Sequence, residues 1–291
     1  MERRAAAVPS AEPEGFVVTV GAGERIHFLD WGGPPAGGPG LVLVHGIGAT
    51  AWSWTAIARG LREERHVVAF DLRGHGLSDA PTEGYDEDSL ADDVIAVAEG
   101  SGIAGRDDAG RVVLAGHGLG AIFAAWAAAS LGPRCAGLVL VDGGWEDVGA
   151  ESGMEVDEFL RTIEEPPEVY RSMRAYLADR RAFHPATWDA DQERAAREAV
   201  VQVPAGRVVP VTRPHVVAGM VSAMLSYRPH DVLPAVTAPI TALVAGPDDR
   251  GVGDWAFERV ERFPDAGHNL MRYRPREVAR AILGTGLPSP T

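Results

Sequence analysis

The chain reads as an α/β protein: a mainly parallel sheet with helices on both faces and an inserted helical cap. Three observations predict this. Short β-branched runs alternate with helical patterns, most of those runs end at glycine or aspartate, and the strands then stop between Trp145 and Ala235. Such alternation requires crossover connections, which pack helices over both faces of a parallel sheet. With 291 residues, 46% of them hydrophobic, the chain can bury the core this needs.

The strand runs are Phe16–Val20, Arg25–Trp31, Leu41–Val44, His66–Phe70, Arg111–Ala115, Gly137–Val141 and Ile240–Ala245, with a weaker one at Phe257–Phe263. Between them, Trp52–Leu61 and Ser89–Glu99 carry apolar residues at three- and four-residue spacing, and Ser89 is placed to cap the second. Leu119–Ser130 is apolar nearly all round, as a helix buried behind a sheet must be. Arg276–Leu283 follows Pro275, which suits a helix start. Within the central stretch, Val156–Glu165, Glu168–Arg181, Ala190–Val203 and His215–Tyr227 read as helices. The organisation is therefore a flexible N-terminus over 1–15, a core over 16–144 and 236–283, a helical cap over 145–235, and a flexible tail over 284–291. No internal repeats are found.

Composition excludes several functions. A net charge of −14 without a basic stripe is opposed to nucleic-acid binding, where Lys and Arg must neutralise phosphates. All 27 basic residues are arginine, so no lysine can form a Schiff base. Cys135 is the only cysteine, which rules out an internal disulfide, and its apolar surroundings mark a buried structural thiol. The nine histidines show no metal-ligand spacing, so neither metal nor cofactor is expected. Residues 1–15 lack the apolar core of a secretory signal, and no apolar run reaches membrane-spanning length. These features lead us to expect a soluble, cytoplasmic protein acting on a small-molecule or peptide-like substrate, without nucleic-acid or membrane partners.

Four segments carry the chemistry. Val44-His45-Gly46-Ile47-Gly48 follows a strand. Asp71-Leu-Arg-Gly-His75-Gly-Leu-Ser-Asp79 follows the next. Gly116-His117-Gly118-Leu119-Gly120 runs from a strand into the apolar helix, and Asp265-Ala-Gly-His268-Asn follows the last strand. Together, in this order, they resemble the α/β-hydrolase superfamily over residues 16–146 and 236–283. A dinucleotide site would need GxGxxG and an acidic residue about twenty positions on, which this chain fits poorly.

The resemblance implies roles. Ile47 and Leu119 would supply the two oxyanion-hole amides, and His268 would be the catalytic base. The second segment would be structural, His75 included. The third matches the G-x-S-x-G nucleophile elbow, except that Gly118 stands where the serine belongs. The acid should follow Ile240–Ala245, where family spacing favours Asp249 over Asp248. Only 19 residues (268 − 249) separate Asp249 from His268, less than the usual helix needs, and Asp142 is the alternative acid. His117 is a candidate substitute nucleophile or second base. His45 is a candidate substrate contact that also suits shaping the oxyanion loop. Trp52, Trp54 and Trp145 are expected to wall the substrate pocket, along with some cap residues from among Met154, Met173, Met220, Met224, Phe159, Tyr170, Tyr176, Phe183, Trp188 and Tyr227.

Without the serine no acyl-enzyme is expected. A histidine base and two amides suit proton transfer beside a carbonyl, as in epimerisation, isomerisation, cyclisation or elimination. Non-hydrolytic members of the superfamily, some epimerising peptide residues, give the analogy. Coding bias and the altered elbow point to natural-product biosynthesis. The alternatives are ester or amide hydrolysis by His268-activated water, and a catalytically dead binding protein or engineered Ser-to-Gly variant.

Overall fold

The computed structural model describes residues 12–34, 38–105, 110–163 and 169–286. All eight strand runs read from the sequence become strands of one sheet. The first six are β1 (Glu14–Val20), β2 (Glu24–Gly32), β3 (Gly40–Val44), β4 (Val67–Phe70), β5 (Val112–His117) and β6 (Cys135–Val141). Two short strands, β7 (Val200–Gln202) and β8 (Val208–Pro210), pair with each other in the cap, and the main sheet resumes with β9 (Ile240–Ala245) and β10 (Arg259–Phe263). Its spatial order is β1-β2-β4-β3-β5-β6-β9-β10, antiparallel across β1-β2-β4 and parallel from there on.

The inner strands read as unbroken apolar runs because both their faces are covered. β3, β4, β5, β6 and β9 are buried at every position. Helices Glu87–Gly100 and Leu119–Leu131 cover one face, with Phe123, Trp126 and Val94 among the buried side chains. Helices Thr55–Leu61 and Pro275–Gly284 cover the other, over Leu41, Ala69 and Val139. Each fully buried Val, Leu or Phe contributes about 1.5–3 kcal/mol. The two clusters therefore fix the strand ends from which the site is built.

Some boundaries differ from the sequence reading. Helix Glu87–Gly100 begins two residues before Ser89, and its cap is Asp86, whose carboxylate accepts from the Ser89 amide at 3.0 Å. Trp52 and Trp54 belong to a 3-10 turn over Ala51–Trp54, ahead of helix Thr55–Leu61. In the cap, helix Ala190–Glu198 ends before Val200, because the β-branched pairs Val200-Val201 and Val208-Val209 form a hairpin around Pro204-Ala205-Gly206. Tyr170 extends the hairpin through a bridge to Val208. The expected helix Glu168–Arg181 is Met173–Phe183, capped by Ser172, and Val156–Glu165 is Val156–Ile163 up to the limit of the described residues. Glu14 and Gly15, expected in the flexible N-terminus, already pair with β2, and Thr285 is tied to Thr241 at 2.8 Å. The remainder of both termini, 1–11 and 287–291, lies outside the described residues. Among the described residues no helix is long and apolar enough to cross a membrane.

Candidate active site

The site forms where β3, β5, β6 and β10 end. At the end of β5 the chain turns sharply into helix Leu119–Leu131 through Gly118, with φ 55° and ψ −120°. That is elbow geometry: a left-handed residue at the strand-to-helix corner, which glycine adopts without a Cβ clash. The corner is also crowded. A Cβ on Gly120 would lie 2.3 Å from the His45 carbonyl oxygen, so only glycine lets the helix start against the β3 loop.

The base is held from the acid side. His268 Nδ1 meets Asp142 Oδ2 at 2.5 Å, so Nδ1–H donates to the carboxylate and Nε2 keeps its lone pair. Nε2 faces the elbow, because a Cβ built on Gly118 would sit 3.1 Å from it. The place a serine side chain would occupy is thus next to the free nitrogen. The His268 side chain is 62% exposed, whereas that of Asp142 is 3% exposed. Asp142 stands at positive φ (53°) directly after β6. Its other oxygen accepts from the Ala245 amide at 2.8 Å and pairs with Arg250. Burial pushes the Asp142 carboxyl upward, but His268, the Ala245 amide and Arg250 together hold it below the usual carboxylate range.

This corrects the acid expected from the sequence. Asp249 is exposed, pairs with Arg262 at 3.3 Å and accepts from the Gly253 amide, with no contact to His268. Only a 3-10 turn, Val252–Asp254, separates β9 from β10, so no helix carries residue 249 back toward the base.

The oxyanion loop is shaped by buried histidines. His45 Nδ1–H donates to the Gly46 carbonyl at 2.8 Å, and Nε2 accepts from the Leu72 amide at 3.0 Å. His75 Nε2 accepts from the Gly48 amide at 3.0 Å. Burial drives both imidazoles below the ordinary histidine value, His75 to about 3, which keeps them neutral as these bonds require. His45 therefore shapes the loop and does not reach the cavity. Asp71 does related work, accepting from the Ala51 and Leu77 amides and from His27. Arg73 is locked by a buried pair to Asp93, both bonds at 2.6 Å. Ile47 and Leu119 both line the cavity beside Gly118, and no hydrogen-bond partner is found for either amide among the described residues.

His117 is buried beneath the base. Its ring lies 4.5 Å from that of His268, and its Nε2–H donates to the His268 carbonyl at 3.1 Å. Burial, then the neighbouring His268, push it down to about 4. It does not line the cavity, and its contact with His268 is through the backbone carbonyl.

The cavity above Gly118 measures about 340 Å³. Ile47, Leu119 and Ile122 contribute from the core, and Val148, Phe159, Met220, Val221 and Met224 close it from the cap. None of the three expected tryptophans lines it. Trp52 and Trp54 pack into the core on the far side of the sheet, with the Arg194 guanidinium 3.4 Å from the Trp52 ring. Trp145 is 2% exposed and donates its indole N–H to the Arg250 carbonyl at 3.2 Å. Glu146, not singled out from the sequence, is a wall residue; its only signal there was its place four residues after Asp142. Among the described residues no cluster of His, Cys, Asp or Glu could hold a metal ion.

Fold and site together define an α/β-hydrolase scaffold with a hydrogen-bonded His268–Asp142 pair and glycine at the elbow. The chain belongs to the alpha/beta hydrolase family, whose model matches residues 41–281. It is 26% identical over 257 residues to 2-(acetamidomethylene)succinate hydrolase of Mesorhizobium japonicum, covering 84% of this chain and 87% of that one. It is 38% identical over 121 residues to N-formylmaleamate deformylase of Pseudomonas putida, covering 41% and 42% respectively. Its fold matches the solved structures of E-2-(acetamidomethylene)succinate hydrolase and of a thioesterase domain from the curacin biosynthetic pathway. The first gives a TM-score of 0.76 at 22% identity, covering 94% of this chain and 98% of that one. The second gives 0.71 at 19%, covering 94% and 99%.

Proposed function

We propose that the protein is an enzyme of the α/β-hydrolase family that works on a carbonyl compound by proton transfer through His268, without a covalent intermediate. One observation carries this reading. The free Nε2 of His268 faces a position where a Cβ would be 3.1 Å away and where Gly118 leaves no side chain. A substrate group can occupy that place directly. With Asp142 holding Nδ1–H, the base accepts a proton from the carbon beside a carbonyl, while the Ile47 and Leu119 amides stabilise the enolate oxygen. Reprotonation, ring closure or loss of a leaving group completes an isomerisation, cyclisation or elimination. Each step needs only the groups already named, and a histidine base of this kind contributes about 10²–10⁴-fold in rate.

A second reading is favoured by the names of the relatives, a hydrolase and a deformylase, and by the exposure of His268. In it, a water takes the vacant place and attacks the carbonyl as His268 removes its proton. Without an acyl-enzyme this is one harder step in place of two easier ones.

Incubation of a panel of carbonyl metabolites in D₂O, followed by NMR, separates the two readings. Deuterium incorporation beside the carbonyl that disappears in His268→Ala is the expected result. Release of a carboxylic acid without prior exchange would favour the water mechanism. Exchange that persists in His268→Ala would overturn both.

A further inference from the structure

Among the described residues, the ionisable side chains lining the cavity are Asp142, Glu146 and His268, and no arginine is among them. Both Asp142 oxygens are engaged, one by His268 and the other by the Ala245 amide and Arg250. Glu146 is held by Arg250 and by the backbone amides of Trp145 and Glu146 itself. Its side chain is 15% exposed and lies on a wall that is otherwise apolar, near Val148, Phe159 and Met224. Arg250 Nη1 reaches Glu146 Oε1 at 3.1 Å from behind, while Nη2 of the same guanidinium holds Asp142. The guanidinium is fixed in turn: its centre lies 5.1 Å from the Trp145 ring centroid, and the Arg250 carbonyl accepts from the Trp145 indole. A chain of contacts therefore runs His268–Asp142–Arg250–Glu146, and one arginine serves two carboxylates.

We propose that Glu146 is a specificity-determining residue of this cavity, engaging an ammonium or hydroxyl group of the substrate and turning away carboxylates. This rests on the cavity being the substrate site proposed above and adds the chemical class of the ligand. Asp142 and Glu146 together carry two negative charges when ionised, and Arg250 supplies one positive charge, so among the described residues the wall retains an excess of negative charge that a cationic ligand can balance. A ligand ammonium completes the balance, a hydroxyl donates to Glu146 without disturbing it, and a ligand carboxylate adds a third like charge in a cavity lined mainly by apolar side chains. Burial, with the neighbouring Asp142, raises the Glu146 carboxyl despite Arg250 and the backbone amides of Glu146 and Trp145. The apolar remainder of the cavity takes the hydrocarbon body of the ligand.

The test is binding, measured by calorimetry with three probes that share one body: 4-phenylbutylamine, 4-phenylbutanol and 4-phenylbutyrate. The native protein is expected to bind the amine at least tenfold more tightly than the carboxylate, with the alcohol between them. Glu146→Gln keeps the shape and removes the charge; it is expected to shrink the amine preference to within about threefold, with an unchanged melting temperature as the check on folding. A carboxylate that binds as tightly as the amine, a preference that survives Glu146→Gln, or no binding of any probe would each overturn the assignment. A destabilised variant still leaves the native series decisive. Because the readout requires no turnover, it can fail while His268-dependent exchange succeeds, and the reverse.

Discussion

The floor and the roof of the site are built on different principles. The floor comes from strand ends. Gly118, Asp142 and the loop after β3 each follow a buried strand, and the Asp142, His45 and His75 side chains there have defined partners. The roof comes from cap helices Val156–Ile163 and Pro214–Ser226, which pack on each other and present Phe159, Met220 and Met224. Rigid, hydrogen-bonded geometry lies under the reacting atoms, and adaptable apolar surface lies over them. Under the proposed function, the chemistry belongs to the floor, and substrate choice to the roof and Glu146.

The largest effect expected from breaking the floor is on turnover. His268→Ala should lower the rate of proton exchange on an active substrate by about 10²–10⁴-fold. Asp142→Asn should approach that loss, since an amide neither fixes the Nδ1–H tautomer nor balances the imidazolium. Single-turnover rates with KM measured in parallel check this, and a loss confined to KM would move both residues out of the chemistry.

The next effect is on stability against pH. His117 titrates at about 4 when folded and near 6.5 when unfolded, so the unfolded chain binds the proton first. Stability is therefore full above 6.5 and is lost as the pH falls toward 4, by roughly 3 kcal/mol from this residue. Chemical denaturation at pH 7 and pH 4.5 should show a steep decline, shared with the buried His75 and His45, that becomes shallower by about the His117 share in His117→Gln. An equal decline in both proteins would show that the buried imidazole is not its source.

Breaking the roof should cost less and affect a different constant. Phe159→Ala is expected to raise KM about tenfold while leaving kcat within about threefold, because it removes binding that is the same in ground and transition states. The smallest effect belongs to the acid that family spacing favoured. Asp249→Asn should leave exchange unchanged and alter stability by no more than a few tenths of a kcal/mol, as expected for an exposed ion pair.

The floor was largely legible in the sequence because its signals are local. A glycine-rich corner between an apolar strand and an apolar helix, and a histidine after the last strand, identify themselves. The acid was not, because two loops each offer an aspartate after a buried strand and only the fold decides between them. The short span from Asp249 to His268 was the available warning, and it is physical: without a helix in that connection, Asp249 turns outward to Arg262. The tryptophans misled for a related reason. Proximity to a motif in sequence says nothing about which face of the sheet a side chain takes, and Trp52 and Trp54 take the face opposite the cavity. Glu146 and Arg250 carry no motif, so their bridge emerges only once β6 and the loop after β9 are set side by side.

Under the proposed function no residue of the native site forms a covalent bond with substrate, and His268 with the Ile47 and Leu119 amides acts without a nucleophile. Intact-protein mass spectrometry after exposure to diethyl p-nitrophenyl phosphate, run in parallel on the native protein and Gly118→Ser, tests it directly. The serine side chain must accept positive φ at a cost of about 1–3 kcal/mol, and the exposed His268 must shift by a few tenths of an ångström to admit its Cβ. The account expects an unmodified native protein and a stoichiometric, His268-dependent adduct in the variant. A stoichiometric adduct on a cavity residue of the native protein would contradict it.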